Sequence, residues 1–260
     1  MKTLLAFFIS LCLLFGSCES DGPTGPPGQG TIRMSMVDAP ASYTSINIVV
    51  TEVSVHRADE DTSSGWVVLN NSSKTYDLLA LTNGSMAVIA EAPLYAGMYA
   101  QIRLKLGAGS YLVVNGVQFA LDVSGNSECI LEHPFTLSAN SMIGLTLDFN
   151  AIHSVQPSGV TRFRLVPSIR VVSDDNQGSV SGTVTPPLAK PVLSTVSGPD
   201  TISTAANTST GTFKLMAVPS GTYSIRIHPT ASVYADTVIT GVQVTSQQDK
   251  SLGAINLRVR

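Results

Sequence analysis

Residues 111–123 read YLVVNGVQFALDV, and this stretch decides the fold class. Tyr111 to Val114 is a short apolar run, and Val117, Phe119, Leu121 and Val123 alternate with polar or small residues. Between the runs, Asn115-Gly116 is a pair that accepts positive φ at both central positions of a type I′ turn. Two strand patterns separated by two such residues make an antiparallel hairpin. Working outward, Ile102, Leu104 and Leu106 alternate with Arg103 and Lys105 on one side. On the other, Ile143, Leu145, Leu147 and Phe149 alternate, followed by Phe163, Leu165, Ile169 and Val171, with Pro167 marking an edge or bulge. Ile46 to Val55 is β-branched and changes phase midway, which indicates a bulge or burial on both faces. Ile32, Met34 and Met36 alternate until Asp38-Ala39-Pro40 ends the run, and Trp66 to Leu69 follows a polar loop. Only Tyr76 to Leu81 and Ser85 to Ala92 have patterns suited to short helical turns. Many short strands at regular spacing predict an all-β, antiparallel sandwich or barrel over residues 30–173.

Asp174-Asp175-Asn176-Gln177-Gly178 is a polar boundary, and a new strand series occupies residues 178–260. Val180 to Val184 opens it. Pro186 to Thr210, rich in Pro, Ser and Thr, is expected to hold one strand near Val192 among loose loops. Gly211 to Leu215, Val218 to Ile227, Val238 to Val244 and Ile255 to Val259 complete a second sandwich. Gly97-Met98-Tyr99 before Ile102-Arg103-Leu104 is echoed by Gly221-Thr222-Tyr223 before Ile225-Arg226-Ile227. In both places glycine permits a tight entry into a strand, while the tyrosine packs its ring and ties the turn with its hydroxyl. This resembles the tyrosine corner of sandwich folds.

The N-terminus carries an address. Lys2 precedes a nearly unbroken apolar run from Leu4 to Phe15, too short to span a bilayer and closed by small residues, which is the pattern of a secretory signal over residues 1–17. Gly16-Ser17-Cys18 resembles the lipobox of bacterial lipoproteins, and the resemblance implies that Cys18 is lipidated and becomes the first mature residue. Residues 18–29 then form a Gly/Pro spacer, with glycine at every third position from Gly22 to Gly28, long enough to hold a domain clear of lipid headgroups. The implied location is the bacterial cell envelope, in the outer membrane, facing the periplasm or the surface. Of three cysteines, Cys12 leaves with the signal and Cys18 is blocked by lipid. Cys129 then has no partner for a disulfide, so stability must come from the hydrophobic core.

Two further resemblances rest on named residues. Met34-Ser35-Met36-Val37-Asp38-Ala39-Pro40 with Ile48 to His56, Ala96-Gly97-Met98-Tyr99-Ala100-Gln101-Ile102-Arg103-Leu104, and Arg164-Leu165-Val166-Pro167-Ser168-Ile169 together resemble a domain-of-unknown-function family, number 4382. That resemblance implies an all-β envelope lipoprotein and brings no catalytic residue. In residues 178–260 the order Gly182-Thr183-Val184, Gly211-Thr212-Phe213, Pro219-Ser220-Gly221-Thr222-Tyr223 is similar to the carboxypeptidase regulatory-like modules of the transthyretin-like group. Those modules are usually non-catalytic, and related folds include carbohydrate binders.

The residues offer little chemistry. No nucleophile elbow, zinc-protease helix, C-x-x-C pair, P-loop or dinucleotide fingerprint is present. His56, His133, His153 and His228 lack ligand spacing, and Asp59-Glu60-Asp61 and Asp174-Asp175-Asn176 lack the alternate-residue spacing of a calcium loop. Charged residues are 13% of the chain and the formal net charge is −3, giving no reason to expect nucleic acid. Arg103, Lys105, Arg162, Arg164 and Arg170 occupy the polar phase of three strands. If those strands are neighbours, they form a basic stripe for an acidic glycan or headgroup; otherwise they are the solvated face of a sheet. The expectation is a non-enzymatic, cofactor-free envelope protein, joined to the membrane through Cys18, that presents a binding or structural surface to an envelope glycan or protein partner. The alternatives are a fimbria-like subunit exchanging Leu252 to Arg260, and a carbohydrate-binding lipoprotein, which Trp66 as the lone tryptophan supports weakly. Replacing Cys18→Ser is expected to release the protein from the membrane fraction or leave its signal uncut. Unchanged fractionation and unchanged labelling by a fatty-acid probe would refute the anchor.

Overall fold

The computed structural model describes residues 28–61, 63–125, 127–159 and 161–260; the signal, Cys18 and most of the spacer lie outside them. The first module runs β1 (Gln29–Asp38), β2 (Ser45–Arg57), β3 (Trp66–Asn70), β4 (Lys74–Asp77), β5 (Ala87–Tyr95), β6 (Gly97–Val114), β7 (Val117–Asp122), β8 (Glu128–Leu137) and β9 (Met142–Phe149). It closes with the four-residue helix α1 (Ala151–Ser154), β10 (Val155–Pro157), β11 (Phe163–Leu165) and β12 (Ile169–Ser173). The alternating residues form two facing sheets, one ordered β12-β9-β1-β5 and the other built around β2, β6 and β7. Ile32, Met34 and Met36 on β1 and Leu145, Leu147 and Phe149 on β9 face Ile46, Ile48, Val53, Val55, Ile102 and Leu104, all fully buried. Each such side chain contributes about 1.5–3 kcal/mol. Cys129 is a free thiol, so this burial holds the module together. On β2 the register shift between Val50 and Glu52 falls where the apolar phase changes. Asn115 (φ 48°) and Gly116 (φ 79°) close the β6–β7 hairpin, Val114 opposite Val117.

Two local expectations are corrected. Ser85 to Ala92 holds no helical turn: Ala87–Tyr95 is a strand, because its register with β1 uses the backbone groups a helix would need. The helical pattern near Tyr76 shrinks to a 3-10 turn at Leu78–Leu81, capped by Asp77. The sheets also contain parallel pairings that alternation does not reveal, β1 with β9 and β11 with β7.

The second module comprises β13 (Gln177–Thr185), β14 (Pro191–Ser197), β15 (Asp200–Ala205), β16 (Thr212–Pro219), β17 (Gly221–Pro229), β18 (Thr237–Val244) and β19 (Asp249–Asn256). Pro186 to Thr210 therefore holds two strands rather than one, joined by a turn in which Gly198 has φ 59°. Leu252 to Asn256, part of the stretch considered for strand exchange, pairs with β13 of its own module.

The second module repeats the first. β13 lies between antiparallel β16 and parallel β19, as β1 lies between antiparallel β5 and parallel β9. The order β15-β14-β17-β18 repeats β3-β2-β6-β8. The match reaches single atoms. A Cβ on Gly30 would stand 2.6 and 2.7 Å from the carbonyl oxygens of Ser138 and Ser141, and one on Gly178 would stand 2.4 and 2.7 Å from those of Thr245 and Gln248. In both modules the first strand therefore needs glycine where the turn between two strands of opposite sheets, β8–β9 or β18–β19, crosses it. The crossing is tied identically: Thr31 N–H donates to Ser141 O (2.8 Å) and Ser179 N–H to Gln248 O (2.9 Å), while Asn140 N–H donates to Gln29 O (2.9 Å) and Gln247 N–H to Gln177 O (2.6 Å). The paired glycine–tyrosine entries are one part of this duplication. Tyr99 is fully buried, stacks on Phe135 at 5.2 Å and donates its hydroxyl to Tyr95 O (2.8 Å). Tyr223 is only half-buried.

The modules meet along a polar seam. Asn83 Oδ1 accepts from Lys214 N–H (2.7 Å), and its own N–H donates to Thr204 Oγ1 (3.1 Å). Arg170 Nη2 donates to Asp148 Oδ2 (2.6 Å) and Ala217 O (2.8 Å). The boundary residues Asp174 and Gln177 bond each other (2.6 Å) and Thr146 (2.7 Å each). Asp38 is buried at this seam; its Oδ1 accepts from Ala151 N–H (3.0 Å) and its Oδ2 has no hydrogen-bond partner among the described residues. Burial, with the charges of Asp148 and Asp77, pushes its carboxyl from 3.8 up to about 8. The folded chain thus keeps a proton that the unfolded chain loses near pH 4. Stability from this group is complete below pH 3.8 and declines as pH rises toward about 8. Asp38→Asn is expected to raise the melting temperature at pH 8 far more than at pH 4; equal shifts at both, measured by calorimetry, would contradict the buried acid.

Candidate functional site

The five basic residues of the first module do not form one stripe. Arg103 and Lys105 lie on the outward side of β6 and converge on Glu52 of β2, at 3.0 and 3.2 Å. Arg103 also donates to Ser54 Oγ (3.1 Å) and covers the Trp66 ring, its Cζ 4.1 Å from the centroid. Despite the desolvation that opposes it, the contacts with Lys105, Ser54 and Arg103 hold the Glu52 carboxyl below its ordinary range. Arg170 is in the opposite sheet, on β12, bound to Asp148 at the seam. These three cations are already neutralised by carboxylates from neighbouring strands.

Arg162 and Arg164 are different. They are exposed, next to and on β11, and no hydrogen bond or ion pair joins either to a carboxylate among the described residues. They stand with Phe163 on one wall of a cleft of about 760 Å³, whose other wall is the β6–β7 hairpin at Ser110, Leu121 and Asp122. Beneath it Phe163 packs edge-on against Phe119 (5.5 Å) and Tyr43 (6.5 Å), an aromatic footing that fixes the β10–β11 hairpin. Asp122 is the acidic residue in the cleft. Its carboxylate accepts from Ser124 N–H (2.8 Å), and the Ser124 contacts, with Arg164 beyond them, keep it below the usual range. The long second half of β6, β7, α1, β10 and β11 have no counterpart in the second module. The cleft is therefore made wholly from what the first module adds to the shared framework.

Among the described residues none around it forms a catalytic group. His56 is buried, donating Nε2–H to the Asp61 carbonyl (2.8 Å), and His228 Nδ1 meets Asp236 (2.8 Å) in the other module. Asp59 and Glu60 are engaged with Arg57 at 3.1 and 3.5 Å. Burial pushes the Cys129 thiol up to about 11, which leaves it a packing residue rather than a nucleophile. Among the described residues no group of three or more His, Cys, Asp or Glu side chains is placed to hold a metal ion, and no helix is long and apolar enough to cross a membrane. Sequence reasoning names Arg162 and Arg164 from their alternation with Phe163. It misses the opposing wall, which lies some forty residues earlier in the chain.

No curated protein matches the chain. Among solved structures, a type II cohesin–X-dockerin complex from Acetivibrio cellulolyticus is 26% identical over 32% of this chain and 58% of that one, with a TM-score of 0.26. The Bacillus anthracis TIE protein is 13% identical over 89% of this chain, which spans 34% of its length, with a TM-score of 0.22. The minor pilin GBS52 of Streptococcus agalactiae is 11% identical over 90% of this chain and 96% of that one, with a TM-score of 0.26. Superpositions this loose carry no functional argument. The family model described as "Domain of unknown function (DUF4382)" matches residues 29–167, the first module with all of its cleft-forming additions. Since that match spans more than half of the 260 residues, the chain belongs to the DUF4382 family.

Proposed function

We propose that the chain is a non-enzymatic lipoprotein of the bacterial envelope, anchored through Cys18, whose first module binds acidic groups of an envelope polysaccharide. The observation that carries this reading is the cleft of the first module, where Arg162 and Arg164 are exposed beside Phe163 and no hydrogen bond or ion pair ties either to a carboxylate among the described residues. In the same module Arg103, Lys105 and Arg170 each have a carboxylate. An exposed cation that no direct ion pair holds attracts an anion and steers its approach. Ser158 and Thr161 add exposed hydroxyls that suit a sugar's many donors and acceptors.

The fold also suits a tethered part. The chain enters β1 at Gln29, and the second module meets β1 at its other end, beside Val37 and Asp38. Ten residues of strand are roughly 33 Å long, so the first module stands between the spacer and the second. We read that second module as a carboxypeptidase regulatory-like, transthyretin-like unit, held away from the lipid and open to a further partner.

The test is binding of the lipid-free chain, residues 19–260 without the anchoring Cys18, to polygalacturonate as a carboxylated polysaccharide and to dextran as a neutral one. Polygalacturonate should bind with an affinity that falls as salt is added, and the double variant Arg162→Ala/Arg164→Ala should lose about tenfold or more, the scale of two surface charge contacts. Arg103→Ala should lose little. Equal affinity for dextran, or retention of polygalacturonate binding by the double variant, would refute the assignment.

A further inference from the structure

The duplication permits a residue-by-residue comparison of the outward faces of the matching strands β3-β2-β6-β8 and β15-β14-β17-β18. Arg103 on β6 sits opposite Ser54 on β2 and Ile130 on β8; Arg226 on β17 sits opposite Ser194 on β14 and Val238 on β18. Each guanidinium is fixed by a carboxylate, Arg103 by Glu52 (3.0 Å) and Arg226 by Asp236 (2.6 Å). The two sites differ in what covers the arginine. In the first module Trp66 of β3, opposite His56, places its ring 4.1 Å from the Arg103 guanidinium carbon. In the second module the same position on β15, opposite Val196, is Thr201. The side chain of Arg103 is 15% exposed and that of Arg226 is 60% exposed. The uncovered space is a groove of about 720 Å³ bounded by Ser194, Val196, Thr201, Tyr223 and Arg226.

We propose that this groove binds an aromatic side chain of a partner protein, stacked on the Arg226 guanidinium as Trp66 stacks on Arg103. Three features of the groove select a ring over an anion. Asp236 already balances the charge of Arg226, so an incoming carboxylate gains little, whereas a planar ring uses the open face of the guanidinium. Val196, exposed at 65%, and Tyr223 line the groove and supply apolar contact. Ser194, Thr201 and Ser224 place hydroxyls on the rim, where the backbone carrying the ring can bond. The site is independent of the acidic-ligand cleft, sharing no residue with it.

The inference is tested by NMR on the mature chain, following the Arg226 Nε–H signal during titration with N-acetyl-tryptophanamide, methyl glucoside or sodium acetate. The tryptophan amide should move that signal upfield through its ring current and saturate in the millimolar range, with the other two probes giving no saturable change. Thr201→Trp should supply the ring internally: the signal should be shifted before any probe is added, and the titration response should disappear. Should that variant fail to fold, Arg226→Gln is the second check, read on the Val196 methyl signals, which should then lose their response to the tryptophan amide. An Arg226 signal indifferent to the tryptophan amide, or one that responds equally to the glucoside or acetate, overturns the proposal.

Discussion

The first strand of each module is the member on which the rest depends, because both of its edges are paired and one of its faces is core. β1 presents Ile32, Met34 and Met36 inward while bonding β5 on one side and β9 on the other; β13 does the same with Val180 and Val184 between β16 and β19. The crossing of the β8–β9 turn over Gly30 and of the β18–β19 turn over Gly178 fixes the register of both. A side chain at either glycine must displace backbone carbonyls rather than a flexible neighbour. The outward faces, by contrast, are free to vary, and there the two copies diverge: Trp66 against Thr201, and a paired Lys105 against His228 beside Asp236.

The seam uses the far end of β1 in another way. Asp38 closes the strand, supports α1 through Ala151 and lies next to residues of both modules. Its cost is that a carboxyl is kept from water with one oxygen unpartnered, which is tolerable when the group stays protonated. Nearby, Asp148 is buried as well, and burial raises its carboxyl while Arg170 opposes the rise. The joint thus combines one neutral acid, one ion pair, the three bonds of Asn83 and those linking Asp174, Gln177 and Thr146.

Strands with β-branched or bulky alternation are legible in the sequence because their period reports burial directly, as in β1, β6 and β9. Ser85 to Ala92 misleads because its alanines and Met86 have good helical propensity, and only the pairing with β1, far away in sequence, overrides it. β15, with the sequence DTISTA, is hidden by its serine and threonines, since Ile202 and Thr204 are its inward residues. The basic residues are visible as cations, but whether each is free depends on Glu52 and Asp148, carboxylates on strands that local patterns cannot place beside them. The glycine–tyrosine echo is the part of the duplication that short-range reading detects. The rest lies in pairings between the ends of each module.

Those end-to-end pairings bear on how the chain acquires its shape. Thr31 is registered with Met142 and Ser179 with Asp249, so each module joins its first strand to a strand far along its chain. The entropy of closing such long loops is met only after the intervening hairpins have formed, which places both modules among slowly folding, high-contact-order topologies. During synthesis neither module can finish before its final strand emerges, and a chain cut short of Asp249 would leave β13 with a bare edge. Late completion leaves the polypeptide extended for longer, open to whatever handles unfolded chains. The seam, whose contacts come from both copies, is assembled last of all.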